Sequence, residues 1–167
     1  GMSCRFPGGA NNPEKFWQLL HDSHDAIDKF PPNRCNRGQL NDKKLQLEGN
    51  NYDRNGGFLT QIDQFDPGFF NLSPKEARSM DPQQRLLLEV GWEALESAGH
   101  IPHRQEGSET GVFVGVTLND YSRLLVRSGG LQAIDPYFAT GNNINAIAGR
   151  LSHVLGLNGP SMAIDTA

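Results

Sequence analysis

The run Gly111-Val-Phe-Val-Gly-Val116 constrains the fold more than any other stretch of the chain. It is apolar without alternation and bounded by turn residues, the pattern of a buried strand in a parallel sheet. A second run, Ser161-Met-Ala-Ile164, follows the turn Leu157-Asn-Gly-Pro160 and leads into Asp165-Thr-Ala167. It also reads as a strand arriving at a sharp turn, a place where α/β enzymes present a nucleophile at a helix start. A plain strand end followed by a helix cap accounts for the same letters equally well.

Helical signals surround these two strands. Asn12-Pro13-Glu14 combines an N-cap, a proline at the first helical position and an acid in the first turn, and Phe16, Trp17 and Leu20 are expected on one face of the helix that follows. Ser73-Pro-Lys-Glu76 and Asp81-Pro-Gln-Gln84 repeat the capping arrangement. The second of them opens the strongest helix, Pro82 to Ala98, with Leu87, Leu88, Trp92, Ala94, Leu95 and Ala98 on one face, Glu89, Glu93 and Glu96 away from it, and Gly99 as its stop. A short helix over 119–127, a break at Ser128-Gly-Gly130 and a helix from Asn142 to Leu155 complete the series. Residues 33–57 read as a long surface loop. The aromatics between Gly57 and Phe70 are expected to pack their rings without regular structure. Five or so helices around two strands give an α/β class and predict part of a sheet whose other strands are missing at one or both ends.

Composition narrows the function. A chain of 167 residues with 37% hydrophobic content is long enough for one domain with a real core. The net charge of −4, with no run of Lys or Arg, gives no footprint for nucleic acid or an anionic membrane. No apolar run approaches the roughly 20 residues of a membrane span, and residues 1–10 lack the parts of a signal peptide. A cytoplasmic protein is the expectation. Cys4 and Cys35 stand in no CxxC or Cys/His set and read as reduced thiols without a catalytic role. Gly8-Gly9, Gly56-Gly57 and Gly129-Gly130 match no phosphate-loop or dinucleotide pattern and read as turn glycines. His21 and His24, beside Asp22 and Asp25, read as a solvated helix end and not a metal site, and His100 and His103 are treated alike. Asp81-Pro-Gln-Gln-Arg85 is distinctive, yet on local physics it is a good helix cap with an arginine one turn in.

Several of these strings together resemble one family, the ketosynthase domain of type I modular polyketide synthases, also found in related fatty-acid and hybrid assembly lines. The matching residues are Gly1-Met-Ser-Cys-Arg-Phe-Pro-Gly-Gly9, Phe16-Trp17, Phe65-Asp-Pro-Gly-Phe-Phe70 with Ser73-Pro74 and Glu76-Ala77, Met80-Asp-Pro-Gln-Gln-Arg-Leu-Leu-Leu-Glu89, Trp92-Glu-Ala-Leu-Glu96 with Ala98-Gly99, Gly111-Val-Phe-Val-Gly115, Thr140-Gly-Asn142, Gly149-Arg150, Gly159-Pro-Ser161 and Asp165-Thr-Ala167. They run in order along the whole chain, residues 1–167, and imply one partial ketosynthase domain with no internal linker. The implied fold is the N-terminal part of a thiolase-like, α-β-α-β-α layered condensing enzyme, incomplete at both ends.

The resemblance implies chemistry as well. In this family Asp-Thr-Ala is followed directly by the catalytic cysteine, so Asp165, Thr166 and Ala167 would support the nucleophile's turn, and the catalytic histidines lie later. None of His21, His24, His100, His103 or His153 inherits that role, no catalytic residue is expected within the chain, and the 167 residues by themselves are expected to be inactive. The complete enzyme would be an acyltransferase joining a malonyl-type extender to a cysteine-bound acyl chain by decarboxylative condensation. Its substrates would be phosphopantetheine thioesters on acyl carrier protein, with no cofactor or metal bound directly. The implied partners are acyl carrier protein, the acyltransferase domain of the same megasynthase and a second copy in a homodimer. Thr140, Asn142 and Arg150 are implied near the acyl pocket and dimer interface, with helix packing the alternative for Arg150 and Gly149. Asn145 and His153 stand where the family more often has Ser and Tyr. The alternative functions are a non-elongating or decarboxylating relative with a dimerisation or docking role, and the ketosynthase of a multidomain fatty-acid synthase.

Overall fold

Three helix starts are set by side chains placed just ahead of a proline. In a computed structural model, which describes residues 1–31, 34, 55–100 and 106–166, Asn12 Oδ1 accepts from the Lys15 amide at 2.8 Å and opens α1 (Pro13–His21). Ser73 Oγ accepts from the Glu76 amide at 3.1 Å and opens α2 (Pro74–Ser79). Asp81 Oδ1 accepts from the Gln83 amide at 2.8 Å and opens α3 (Pro82–Ser97). Each oxygen satisfies an N–H that has no partner inside its helix, and each proline sits where no N–H is needed. α3 ends as its sequence predicts: Gly99 adopts φ +73°, and the His100 amide bonds back to the Leu95 carbonyl at 2.9 Å.

The chain divides into two compact units, Cys4–Thr60 and Gly1–Ser3 with Gln61–Ala167. In the first, Phe6 stacks on Phe16 of α1 with ring centroids 4.3 Å apart. The expected apolar face is only partly used, because Trp17 and Leu20 are 68% and 53% exposed. Strand β1 (Ile27–Lys29) pairs antiparallel with β2 (Asn55–Gly57), Ile27 opposite Gly57. Gly56 and Gly57, read from sequence as turn glycines, therefore lie in a strand. Pro7 packs where a Cβ on Gly57 would stand. Most of the expected 33–57 loop, residues 33 and 35–54, lies outside the described residues.

The second unit contains α2, α3, β3 (Val112–Gly115), α4 (Asp120–Gly129), a 3-10 turn (Gly130–Ala133), α5 (Phe138–Asn142), α6 (Ala146–Leu155) and β4 (Ser161–Ile164). β3 and β4 run parallel, with Val112 beside Ser161 and Gly115 beside Ile164. α6 covers one face of this pair, and α3 lies on α6. Phe70, Met80, Leu88, Val112, Ala148, Leu151 and Leu155 form the core between them. The expected aromatic packing is present: Phe65 stacks on Phe70 at 5.3 Å, and Phe69 meets Trp92 edge-on at 4.8 Å.

Three expectations need correction here. β3 is buried on one face only, since Phe113 is 58% exposed while Val112 is 7%; among the described residues no helix covers the other face. The break at Ser128-Gly-Gly130 comes later than expected. The helix continues through Ser128, whose Oγ donates to the Leu124 carbonyl at 3.0 Å, and through Gly129 into the 3-10 turn. The single helix over 142–155 is two, α5 and α6, separated at Asn143, whose backbone is extended (ψ 131°).

Candidate functional site

β4 runs parallel to β3 and ends at Asp165 and Thr166, both exposed; Ala167 lies outside the described residues. The Asp-Thr string thus stands at the C-terminal end of a parallel strand, the end at which open α/β sheets assemble their sites.

α5 carries Thr140 and Asn142. Asn142 is 4% exposed, and its Nδ2 donates to the carbonyls of Ser79 and Phe138, both at 2.8 Å. Two carbonyl acceptors on one nitrogen fix which way this amide points. Its Oδ1 is buried with no hydrogen-bond partner, and its backbone carbonyl accepts from Asn119 Nδ2 at 3.2 Å. Thr140 is exposed; its hydroxyl donates to the Tyr137 carbonyl at 3.3 Å, and its own carbonyl accepts from Gln84 Nε2 at 3.2 Å. Between them, the Gly141 carbonyl accepts from the Asp81 amide at 2.8 Å. This one short helix is therefore tied to the α2–α3 junction through Ser79, Asp81 and Gln84.

Arg150 reaches the same junction from α6. Its Nη1 donates to Glu76 Oε1 at 2.6 Å and its Nε to Gln84 Oε1 at 2.9 Å. The arginine and glutamate side chains are 11% and 19% exposed, so this charge pair is largely out of water. Thr140 and Arg150, which the resemblance implies together with Asn142, thus meet on Gln84, and Asn142 bonds to Ser79 at the same α2–α3 junction. Asp165 and Thr166 belong to another element, the end of β4. Beside the start of α3 lies an open groove of about 340 Å³, with Pro82, Leu118, Tyr121 and Leu124 as its apolar wall and Asp81 and Gln83 on its polar edge. Gln83 Nε2 donates to the Leu118 carbonyl at 2.8 Å across that edge.

The remaining candidates stand on other elements. Cys4 is half-buried, its Sγ 3.9 Å from the Ala10 carbonyl. His21 Nδ1 lies 3.0 Å from Asp22 Oδ1 at the end of α1. The hydrogen bond from His21, then that from Gln18, holds the Asp22 carboxyl below its ordinary value. His24 and His100 are exposed in loops, and His153 is exposed on α6. Cys35 and His103 lie outside the described residues. Among the described residues no three His, Cys, Asp or Glu side chains gather to hold a metal ion, and no helix is long and apolar enough to cross a membrane.

The sequence marks Glu76 and Gln84 only as helix-start residues and does not mark Ser79. A signal existed for Gln84. It stands four residues before Leu88, on the stripe that α3 buries, and an amide on a buried stripe requires partners.

A parallel pair whose second strand runs into Asp165-Thr166 with a helix on one face is part of a thiolase-like condensing-enzyme fold, as the comparisons with known proteins show. Solved structures that superpose on the chain include an oxazolomycin ketosynthase domain from Streptomyces albus JA3453, with TM-score 0.84 and 32% identity over 99% of this chain and 28% of that one. Another is the ketosynthase from module 6 of the bacillaene synthase of Bacillus subtilis 168, with TM-score 0.77 and 33% identity over 99% and 25%. The chain belongs to the β-ketoacyl synthase family: the profile described as "Beta-ketoacyl synthase, N-terminal domain" matches residues 1–167. It is 49% identical over 171 residues to a phenolphthiocerol/phthiocerol polyketide synthase of Mycobacterium tuberculosis, covering 100% of this chain and 8% of that protein. To polyketide synthase GfsB of Streptomyces halstedii it is 48% identical over 168 residues, covering 100% and 3%. The chain thus spans a small part of the curated relatives it matches.

Proposed function

We propose that this chain is the N-terminal portion of a polyketide-synthase ketosynthase, residues 1–167 forming part of one domain, and that the complete enzyme performs decarboxylative condensation. The observation that carries this reading is the agreement of the family profile along the whole chain with a parallel strand that ends at Asp165-Thr166. In the family a cysteine follows this string. Its thiolate attacks the carbonyl of an acyl thioester, the acyl group moves to sulfur, and the carrier thiol leaves, which splits one hard step into two. A malonyl-type thioester then loses carbon dioxide, and the resulting enolate attacks the cysteine thioester. The products are a β-ketoacyl thioester two carbons longer and the free cysteine thiolate. Donors aimed at the developing oxyanion and enolate lower both barriers.

In this reading Asp165, Thr166 and Ala167 hold the turn that presents the nucleophile, Asp165 by hydrogen bonding and without proton transfer. Thr140 and Asn142 contribute to the acyl pocket and the face of a homodimer, and Arg150 braces them. The substrates arrive as phosphopantetheine thioesters on acyl carrier protein, the extender supplied by the acyltransferase domain of the same cytoplasmic megasynthase. The test is to incubate the full-length protein with hexanoyl-N-acetylcysteamine, then with malonyl-loaded carrier protein. Mass spectrometry is expected to show a hexanoyl adduct on the cysteine next to Ala167 and then a β-keto product on the carrier. Decarboxylation of the malonyl group without an acyl adduct would replace this reading with a non-elongating one.

A further inference from the structure

Gln84 is 3% exposed, and both ends of its amide are used. Its Oε1 accepts from Arg150 Nε at 2.9 Å, and its Nε2 donates to the Thr140 carbonyl at 3.2 Å. An arginine only donates, so the side of the amide facing Arg150 must be its oxygen, and the nitrogen must then face Thr140. Arg150 is in turn held by Glu76 at 2.6 Å. The charged pair thus fixes the orientation of a neutral amide, and the amide fixes the backbone of α5. The chain Glu76–Arg150–Gln84–Thr140 carbonyl joins α2, α6, α3 and α5.

What it holds in place is a surface. Thr140 is exposed, and its hydroxyl donates to the Tyr137 carbonyl at 3.3 Å. α5 packs beside α4, which carries exposed Leu124, 59% accessible, and exposed Leu118 lies just before that helix. In the ketosynthase reading this segment of α5 borders the acyl group, and the position of its backbone is set by the bond from Gln84 to the Thr140 carbonyl.

We propose that Gln84 is a positioning residue for acyl-chain binding: oriented by Arg150, it sets the Thr140–Asn142 wall against which the acyl group packs. The inference rests on the ketosynthase reading and adds a residue to it. Replacing Gln84 by Glu keeps an acceptor for Arg150 and removes the donor to Thr140, whereas replacing it by Leu removes both. If the donor to Thr140 matters, the two variants behave alike.

The experiment measures hexanoyl uptake from hexanoyl-N-acetylcysteamine by the full-length protein and its Gln84→Glu, Gln84→Leu and Arg150→Lys variants, with thermal unfolding of each. A net hydrogen bond corresponds to roughly three- to tenfold in an equilibrium. KM for hexanoyl uptake is therefore expected to rise by about that factor in all three variants, with kcat little changed. Arg150→Lys belongs to the set because lysine lacks the guanidinium fork that meets glutamate and amide together. Wild-type KM in Gln84→Glu overturns the proposal. So does unfolding of all three variants, which would make Gln84 a residue of stability alone. Wild-type protein that takes up no hexanoyl group overturns the ketosynthase reading itself, an outcome visible before any variant is compared.

Discussion

Gly141 presses on the Ser79 carbonyl so closely that a Cβ built at Gly141 would stand 2.5 Å from that oxygen and 3.0 Å from Met80 Cα. The obstacle is backbone at the helix junction that also receives Asn142 Nδ2, so it cannot swing aside as a side-chain tip would. Gly141→Ala is therefore expected to destabilise the protein by about 1–3 kcal/mol, the usual cost of forcing a methyl into packed structure. Gly91 supplies the internal comparison. A Cβ there meets the tip of Leu151 at 2.9 Å, a flexible group, so Gly91→Ala should cost less. Thermal denaturation of the two variants side by side checks the ranking, and an equal or reversed order would show that α5 moves freely on Ser79.

Asp22 offers a pH prediction outside the candidate site. Hydrogen bonds from His21 and then Gln18, with a smaller attraction from His24, favour its ionised form and hold its carboxyl below the ordinary value. A carboxyl depressed on folding contributes stability above its unfolded value and loses it as the pH falls through the folded value. NMR titration should place Asp22 below a typical aspartate, and His21→Ala should raise it again. Asp22 is exposed, so the expected change in overall stability is small. An Asp22 that titrates at or above the ordinary value would mean that the His21 contact does not persist in water.

What could be read from sequence depended on how local the cause was. Asn12, Ser73 and Asp81 cap helices through amides two or three residues away, and their letters suffice. The family strings likewise fix the fold class, because they name the parallel strands and the turn after β4. The β1–β2 pair was invisible, since Asn55-Gly-Gly57 lacks the β-branched and aromatic side chains that mark a strand. Asn143 interrupts the 142–155 helix because α5 turns aside where Asn142 bonds to Ser79, 63 residues away. Gln84 finds its partners 56 and 66 residues along the chain, so no local pattern names them.

The Glu76–Arg150 pair should behave as a coupled unit. With side chains 11% and 19% exposed, each charge has lost most of its water, and removing one leaves the other inadequately compensated. Glu76→Gln and Arg150→Met are each expected to destabilise the protein, Arg150→Met more because it also strands the Gln84 oxygen. The double variant should lose less than the sum of the two, by about 1–3 kcal/mol in a denaturant cycle. Strict additivity would show that the 2.6 Å contact contributes nothing beyond its neighbours.

The open face of β3–β4 makes the last prediction. Phe113 stands beside Met162 and Gly115 beside Ile164, and Phe113, Met162 and Ile164 are 58%, 48% and 44% exposed. Parallel strands are ordinarily covered on both faces, and among the described residues α6 covers one face and no helix the other. Three large apolar side chains in register form a patch that water does not favour and that a second molecule can bury. The 167-residue polypeptide produced by itself is therefore expected to self-associate at micromolar concentration and to bind a hydrophobic dye. Replacing Phe113, Met162 and Ile164 together by threonine keeps β propensity while removing the patch. Because these side chains contribute little to the core, the triple variant should sediment closer to a monomer without a large loss of unfolding free energy. A wild-type polypeptide that stays monomeric and dye-free in sedimentation and fluorescence would mean that this face is less exposed in solution, while a triple variant that unfolds would place Phe113 in the core.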